Sequence, residues 1–269
     1  MLGSGLGTTL LYAMTEISLL HKEIIELFKK YKYNWDTSSL PMNELHEWSD
    51  GVSQLLSIDK KTISSKMSEL FWALSSVQLS LGYTLIARQT CQYPKGIKIE
   101  AYNEKDIPVL GISEIHLFYH LNNAWESIYR CWERLSAVLC VLLYPDEEKK
   151  LYFNDVINRI SADPTFTENP KLKLLQSQIK YWNKVAKERN KISHFESSPI
   201  KKIQYESSLA KIYGSKNQFI PKISFSSANL LNEINKVKES YYRIFPAIIS
   251  VKDFIENYIN KKLNLKMNL

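Results

Sequence analysis

The sequence predicts an all-α protein, and three observations predict it. Only 8 Gly and 9 Pro are spread over 269 residues, so long stretches run without a helix breaker. Apolar residues recur at steps of three and four in one segment after another, the period of an amphipathic helix. Hydrophobic residues make up 45% of the chain, ample for helices packed on a shared core.

Taken in order, Ile17, Leu20, Ile24, Leu27 and Phe28 mark a helix over about 11–31. Turn formers between Asn34 and Pro41 interrupt it. A short helix is expected from about Glu44 to Ile58, and a longer one from Thr62 to about Arg88 carries Met67, Leu70, Leu74, Val77, Leu81 and Leu85 as its stripe. From Gln92 to Leu110 the helical period is lost, Pro94, Gly96 and Pro108 punctuate the chain, and the alternation from Ile97 to Tyr102 reads as a strand. Residues 1–92 are therefore an N-terminal helical region and 93–112 a linker or short strands.

The most regular helix is expected from Ser113 to Leu143. Phe118, Leu121, Trp125, Ile128, Trp132, Leu135, Leu139 and Leu142 form an unbroken seam that reads as core. A polar row of Asn122, Glu126, Tyr129, Glu133 and Ser136 flanks the seam instead of lying opposite it, so these side chains are expected half-desolvated at the edge of a helix interface. A helix starting at Pro145 ends near Ala162, its first-turn acids favoured by the helix dipole. Another runs from Pro170 with Leu175, Ile179, Trp182, Ala186 and Arg189 on its stripe. A small irregular or β-hairpin insertion follows over about 197–225, around Gly214 to Asn217. The last helix starts near Ser226 or Ser227, is kinked or divided by Pro246, and ends in a basic tail at 263–269.

A formal charge of +7 and a pI near 9.0 favour a polyanionic partner, by non-specific attraction. Cys91, Cys131 and Cys140 form no CxxC pair, which argues against a disulfide framework or a thiolate zinc site and for a reducing, cytoplasmic setting. No run approaches 18 apolar residues, the longest being Leu135 to Tyr144, so no membrane span is expected. Gly3, Gly5 and Gly7 imitate a phosphate loop only superficially, with no strand before them and no Lys-Ser/Thr after them. His116 and His120 stand at i and i+4 without a third ligand, so no metal is expected, and no cofactor.

One run concentrates chemistry: Lys187 to Phe195, with four residues separating Arg189 from His194 and Asn190 directly after the Arg. A guanidinium on an apolar stripe costs several kcal/mol unless paired, and Glu126 or Glu133 is placed to supply the pair. On an ideal helix Arg189 and His194 diverge by about 140°. A distortion at the helix end or a two-fold partner closes that gap, which favours a homodimer with the run at its seam. The pair suits metal-free RNA cleavage by transesterification. Imidazole moves the protons of the 2′-hydroxyl and the leaving oxygen, while the guanidinium fork holds the non-bridging phosphate oxygens as charge grows. Lys184, Lys187, Lys191, Lys201 and Lys202 are candidate RNA contacts. The plain alternative is a salt-bridged structural Arg beside a helix-end His.

Arg189-Asn190-Lys-Ile-Ser-His194 resembles the Arg-polar-x-x-x-His signature of the HEPN superfamily (higher eukaryotes and prokaryotes nucleotide-binding). Glu126 to Glu133 is similar to that family's earlier core helix, whose polar residue faces the motif Arg. The resemblance covers about 113–262 and implies a HEPN-like antiparallel helical bundle. It further implies a dimeric, metal-independent endoribonuclease acting as a toxin in bacterial phage defence, by abortive infection or with an antitoxin or nucleotidyltransferase partner. Arg189 and His194 become the catalytic pair by this similarity, with Asn190 beside them and Glu126, Glu133, Tyr129 and Ser193 in support. Some family members lack activity, so a non-catalytic helical module binding RNA, a nucleotide or a protein partner is the alternative it implies.

Overall fold

A computed structural model describes residues 22–31, 42–91, 96–99, 112–145, 152–193 and 223–267. Its helices are α1 (22–30), α2 (Met42–Leu56), α3 (Lys60–Gln89), α4 (Ile112–Leu143), α5 (Phe153–Ala162), α6 (Leu172–Gln176), α7 (Ile179–Ser193), α8 (Ser227–Tyr242) and α9 (Ile244–Met267). Two short strands, β1 (Gly96–Ile99) and β2 (Ile223–Ser226), are the exceptions to this all-helical character. The glycines at 3, 5 and 7, most of the predicted insertion and residues 146–151 of the helix expected from Pro145 lie outside the described residues.

α3 begins where Asp59 caps it. The Asp59 carboxylate accepts from the Thr62 backbone N–H at 3.0 Å and from the Thr62 hydroxyl at 2.7 Å, satisfying donors that the first turn leaves open. Just before it, Ser57 closes α2 in the left-handed region at φ 58°, and the Ile58 N–H reaches back to the Ser53 carbonyl at 2.9 Å, a Schellman-type stop.

α3 and α4 form a long antiparallel pair, the most extensive packing in the fold. The Thr90 and Ser113 hydroxyls meet at 2.8 Å, the Tyr83 and His120 rings stack at 4.9 Å, and Glu69 binds Arg134 at 2.9 Å. Each step down α3 is matched by an equal step up α4, which holds register over roughly 30 Å at 1.5 Å per residue. The predicted seam of α4, from Phe118 to Leu142, is buried throughout. Its other side takes α5, α7, α8 and α9, with Trp132 packed edge-on against Phe153 at 4.8 Å. The buried residues of α3 and α4 belong to one continuous core.

Three expectations need correcting, and one is met. α3 is long and apolar enough to cross a membrane by length and composition, although no uninterrupted apolar run of that length exists, because serines and glutamines are interspersed along it. More than half of that stretch is buried within the fold, as in a core helix. The helix expected from Pro170 is two helices. Ser177 Oγ and Gln178 Nε2 donate to the Leu174 carbonyl at 2.6 Å and 3.2 Å, side-chain bonds that compete with the helical ladder where α6 stops. The final helix is divided as Pro246 predicts: the break falls at Arg243, because the proline ring crowds the carbonyl four positions back and has no N–H to offer it. Lastly, β2 does not close a local hairpin inside the insertion. It pairs antiparallel with the distant β1, Gly96 opposite Ser226 and Ile99 opposite Ile223, so the two extended segments satisfy each other's backbone groups.

Candidate functional site

The contact of α4 with α7 brings Arg189 of α7 together with Glu126 and Tyr129 of the polar row on α4. Arg189, on the last turns of α7, reaches Glu126 of α4 through Nε, at 3.4 Å to Oε1 and 3.5 Å to Oε2. Its guanidinium carbon lies over the Tyr129 ring, 4.9 Å from the centroid. Arg189 is 34% exposed and Glu126 30%, so the cation is half-buried instead of lying on a buried stripe as its spacing predicted. The exposure comes from its place near the edge of the α4–α7 contact, beyond the buried Trp182 and Val185. Among the described residues the Nη groups have no partner, and the pair uses one prong of the fork.

Below Arg189 the aromatic stack continues. Tyr129 packs on Trp182 of α7 at 5.0 Å, and Trp182 stacks on Tyr152, next to α5, at 6.2 Å. Trp182 Nε1 donates to Asn154 Oδ1 at 3.2 Å, which fixes the indole. Burial, then the negative charge of Glu133, then Tyr152 push the Tyr129 phenol up to about 12, against a smaller pull down from Arg189. At neutral pH Tyr129 is therefore a hydrogen-bond donor, and its ring holds the guanidinium by cation–π attraction. Tyr152 and Asn154 escaped sequence reasoning because they were expected inside a continuous helix from Pro145. Trp182 was recognised only as an apolar stripe position.

Asn190 is exposed beside Arg189. Ser193 ends the described part of α7; His194, Lys201 and Lys202 lie outside the described residues. Lys187 is exposed, while Lys191 is held by Glu188 at 2.8 Å, a half-exposed pair. Lys184 faces away from Arg189 and lines a cavity shared with α8. At the far end of α4, His116 and His120 hold their rings 6.1 Å apart and nearly perpendicular, inside an aromatic cluster with Tyr83 and Tyr119. Burial and then the charge of His116 lower the His120 pKa. Among the described residues no three His, Cys, Asp or Glu side chains come together as metal ligands.

The arrangement offers, at the edge of the α4–α7 contact, a guanidinium whose Nη donors have no partner among the described residues and a neutral phenol, with the exposed Asn190 next in sequence. Such a set binds an oxyanion and stabilises charge growing on it. No protein-family model, curated protein or solved structure matches the chain.

Proposed function

We propose that the chain is a metal-independent endoribonuclease of the HEPN type. It cleaves RNA by attack of the 2′-hydroxyl at a composite site between two copies of the chain, as a toxin in bacterial phage defence. In this scheme the 2′-oxygen bonds to phosphorus while His194 accepts its proton. The 5′-oxygen leaves with a proton from an imidazolium, giving 2′,3′-cyclic phosphate and 5′-hydroxyl ends. Arg189 holds the non-bridging oxygens, and Asn190 and Tyr129 add neutral donors. The observation that carries this is the one-pronged Arg189–Glu126 contact. A structural arginine is best held by a carboxylate bound bidentately, and this one keeps its Nη donors available among the described residues. The bundle's HEPN-like character, the dimer, the cytoplasmic setting and an antitoxin or nucleotidyltransferase partner belong to the same proposal.

The test is cleavage of total RNA in EDTA by the purified chain. Arg189→Ala and His194→Ala are each expected to abolish it while leaving the circular dichroism melt in place. Equal cleavage in wild type and both variants rules the proposal out. The pairing of Arg189 with Glu126 at rest also suits the non-catalytic alternative, in which the protein binds RNA, a nucleotide or a protein partner and no RNA acquires a cyclic phosphate end.

A further inference from the structure

We propose that the cleft between α7 and α8 is an oxyanion site for a phosphate group, formed by Lys184, Ser240 and Arg243. Both helices border one cavity: Lys184 and Ser240 line it, as do Tyr181 and Arg243, and the charge of Glu188 further along α7 acts on Lys236 of α8. Between them lies a cavity of about 130 Å³, lined by Tyr181, Lys184, Val185, Glu239, Ser240 and Arg243. That is room for several waters or one small oxyanion.

Ser240 is the observation that points to a ligand. It is 4% exposed, and among the described residues its buried Oγ has no hydrogen-bond partner. Other helical hydroxyls of this protein solve the same problem locally. Ser53 donates to the Asp50 carbonyl, Thr84 to Ser80, Ser161 to Ile157 and Ser250 to Pro246, each at 2.7 Å. Ser240 has the Lys236 carbonyl one turn back and does not use it. A buried hydroxyl left open destabilises a fold, so its persistence on a cavity wall fits a donor kept for what enters the cavity.

The rim supplies the charge. Lys184 and Arg243 are exposed, and among the described residues neither has a carboxylate within ion-pair distance. The guanidinium of Arg243 rests on the Tyr181 ring, 4.9 Å from its centroid, which fixes the fork at the cavity mouth. Glu239 opposes them, so the three rim charges sum to one positive charge. A hydroxyl donor, a guanidinium and an ammonium around a cavity this small select a phosphate oxyanion. On α7, Lys184 lies about 140° around from Arg189, so this site is separate from the α4–α7 edge and stands whether or not Arg189 cleaves RNA.

The phosphate comes either from an RNA backbone or from free phosphate, and two probes separate them: a short labelled oligoadenylate followed by fluorescence anisotropy across salt, and orthophosphate followed by ³¹P line width. The full chain is compared with Arg243→Gln, Ser240→Ala, Glu239→Gln and the distant surface variant Lys261→Gln. Arg243→Gln is expected to weaken binding about tenfold and, for RNA, to flatten the log–log salt slope by about 0.7. Ser240→Ala weakens it several-fold yet melts no lower than wild type, because it removes an open hydroxyl; Glu239→Gln tightens it, and Lys261→Gln changes nothing. Losses with RNA identify the backbone as the ligand, and losses confined to orthophosphate identify the free anion. Wild type binding neither probe, or Arg243→Gln and Ser240→Ala binding both as wild type does, overturns the proposal. RNA cleavage in EDTA is read separately and reports only on Arg189 and His194.

Discussion

Arg189 and Glu126 join α7 to α4 by a single prong, Nε to carboxylate at 3.4 Å, with both side chains about one-third exposed. At that exposure the pair contributes no more than ~1 kcal/mol, because solvent screens it and two long side chains are ordered to make it. Its value lies in placement: Glu126 and the Tyr129 ring together hold the guanidinium still.

Glu126→Gln therefore leaves the melting temperature nearly unchanged and releases Arg189 from a competitor for phosphate. RNA binding by anisotropy is expected to tighten about two- to fivefold. Weaker binding would show that Glu126 positions the Arg and does not compete for it. Arg189→Lys keeps the charge but loses the planar fork, and cleavage is expected to fall about a hundredfold.

The α4 seam was legible because a 3-4 alternation admits one buried face, and every residue of it is buried. Glu126 was legible as a partner for Arg189 because a polar row beside a buried seam has to lie at the edge of the next helix. The degree of Arg189's exposure was not, since spacing gives a direction around a helix and not how far the neighbouring helix extends over it. The pairing of β1 with β2 left no local signal either: its partners are more than a hundred residues apart, and neither strand carries a turn that sets register. The α7–α8 cavity is likewise a product of tertiary packing. Ser240 in sequence is one more helical serine, and only its unused hydroxyl singles it out.

Tyr129 provides a pH test. Its folded pKa, about 12, is above the ordinary tyrosine value, so the folded state holds the proton that the unfolded chain gives up near pH 10. The stabilisation tied to this group is complete below about pH 10 and is lost as pH rises from about 10 to about 12. Absorbance at high pH should show one tyrosine titrating late, and Tyr129→Phe should remove it and make alkaline unfolding less steep. An unchanged alkaline titration in Tyr129→Phe contradicts the assignment. At neutral pH the same variant keeps the ring beneath Arg189, so any fall in cleavage isolates the hydroxyl.

Ser57 sits in the left-handed region at φ 58°, where a Cβ crowds the following carbonyl. Glycine carries no such penalty at the position that closes a helix. Ser57→Gly is expected to stabilise the protein by ~1 kcal/mol, seen as a melting temperature roughly 2 °C higher. A lower melting temperature would mean that the serine makes a contact worth more than the strain.

Gly82 is a helical glycine with a packing reason. A Cβ there would come within 2.5 Å of Ile24 Cγ2 and 2.9 Å of its Cδ1, so α1 lies against α3 at a distance only glycine allows. In an exposed helix, Gly→Ala gains about 1 kcal/mol. Here Ile24 is 1% exposed and has nowhere to move, and overpacking of this kind costs about 1–3 kcal/mol, enough to cancel or reverse the gain. Gly82→Ala is therefore expected to lower the urea midpoint or leave it flat. Ile24→Ala alone opens a cavity and costs about 2–5 kcal/mol. The double variant should be more stable than the sum of the singles predicts, because each relieves the other: the new methyl enters space the isoleucine vacated. Strict additivity would show that α1 and α3 do not meet at this pair.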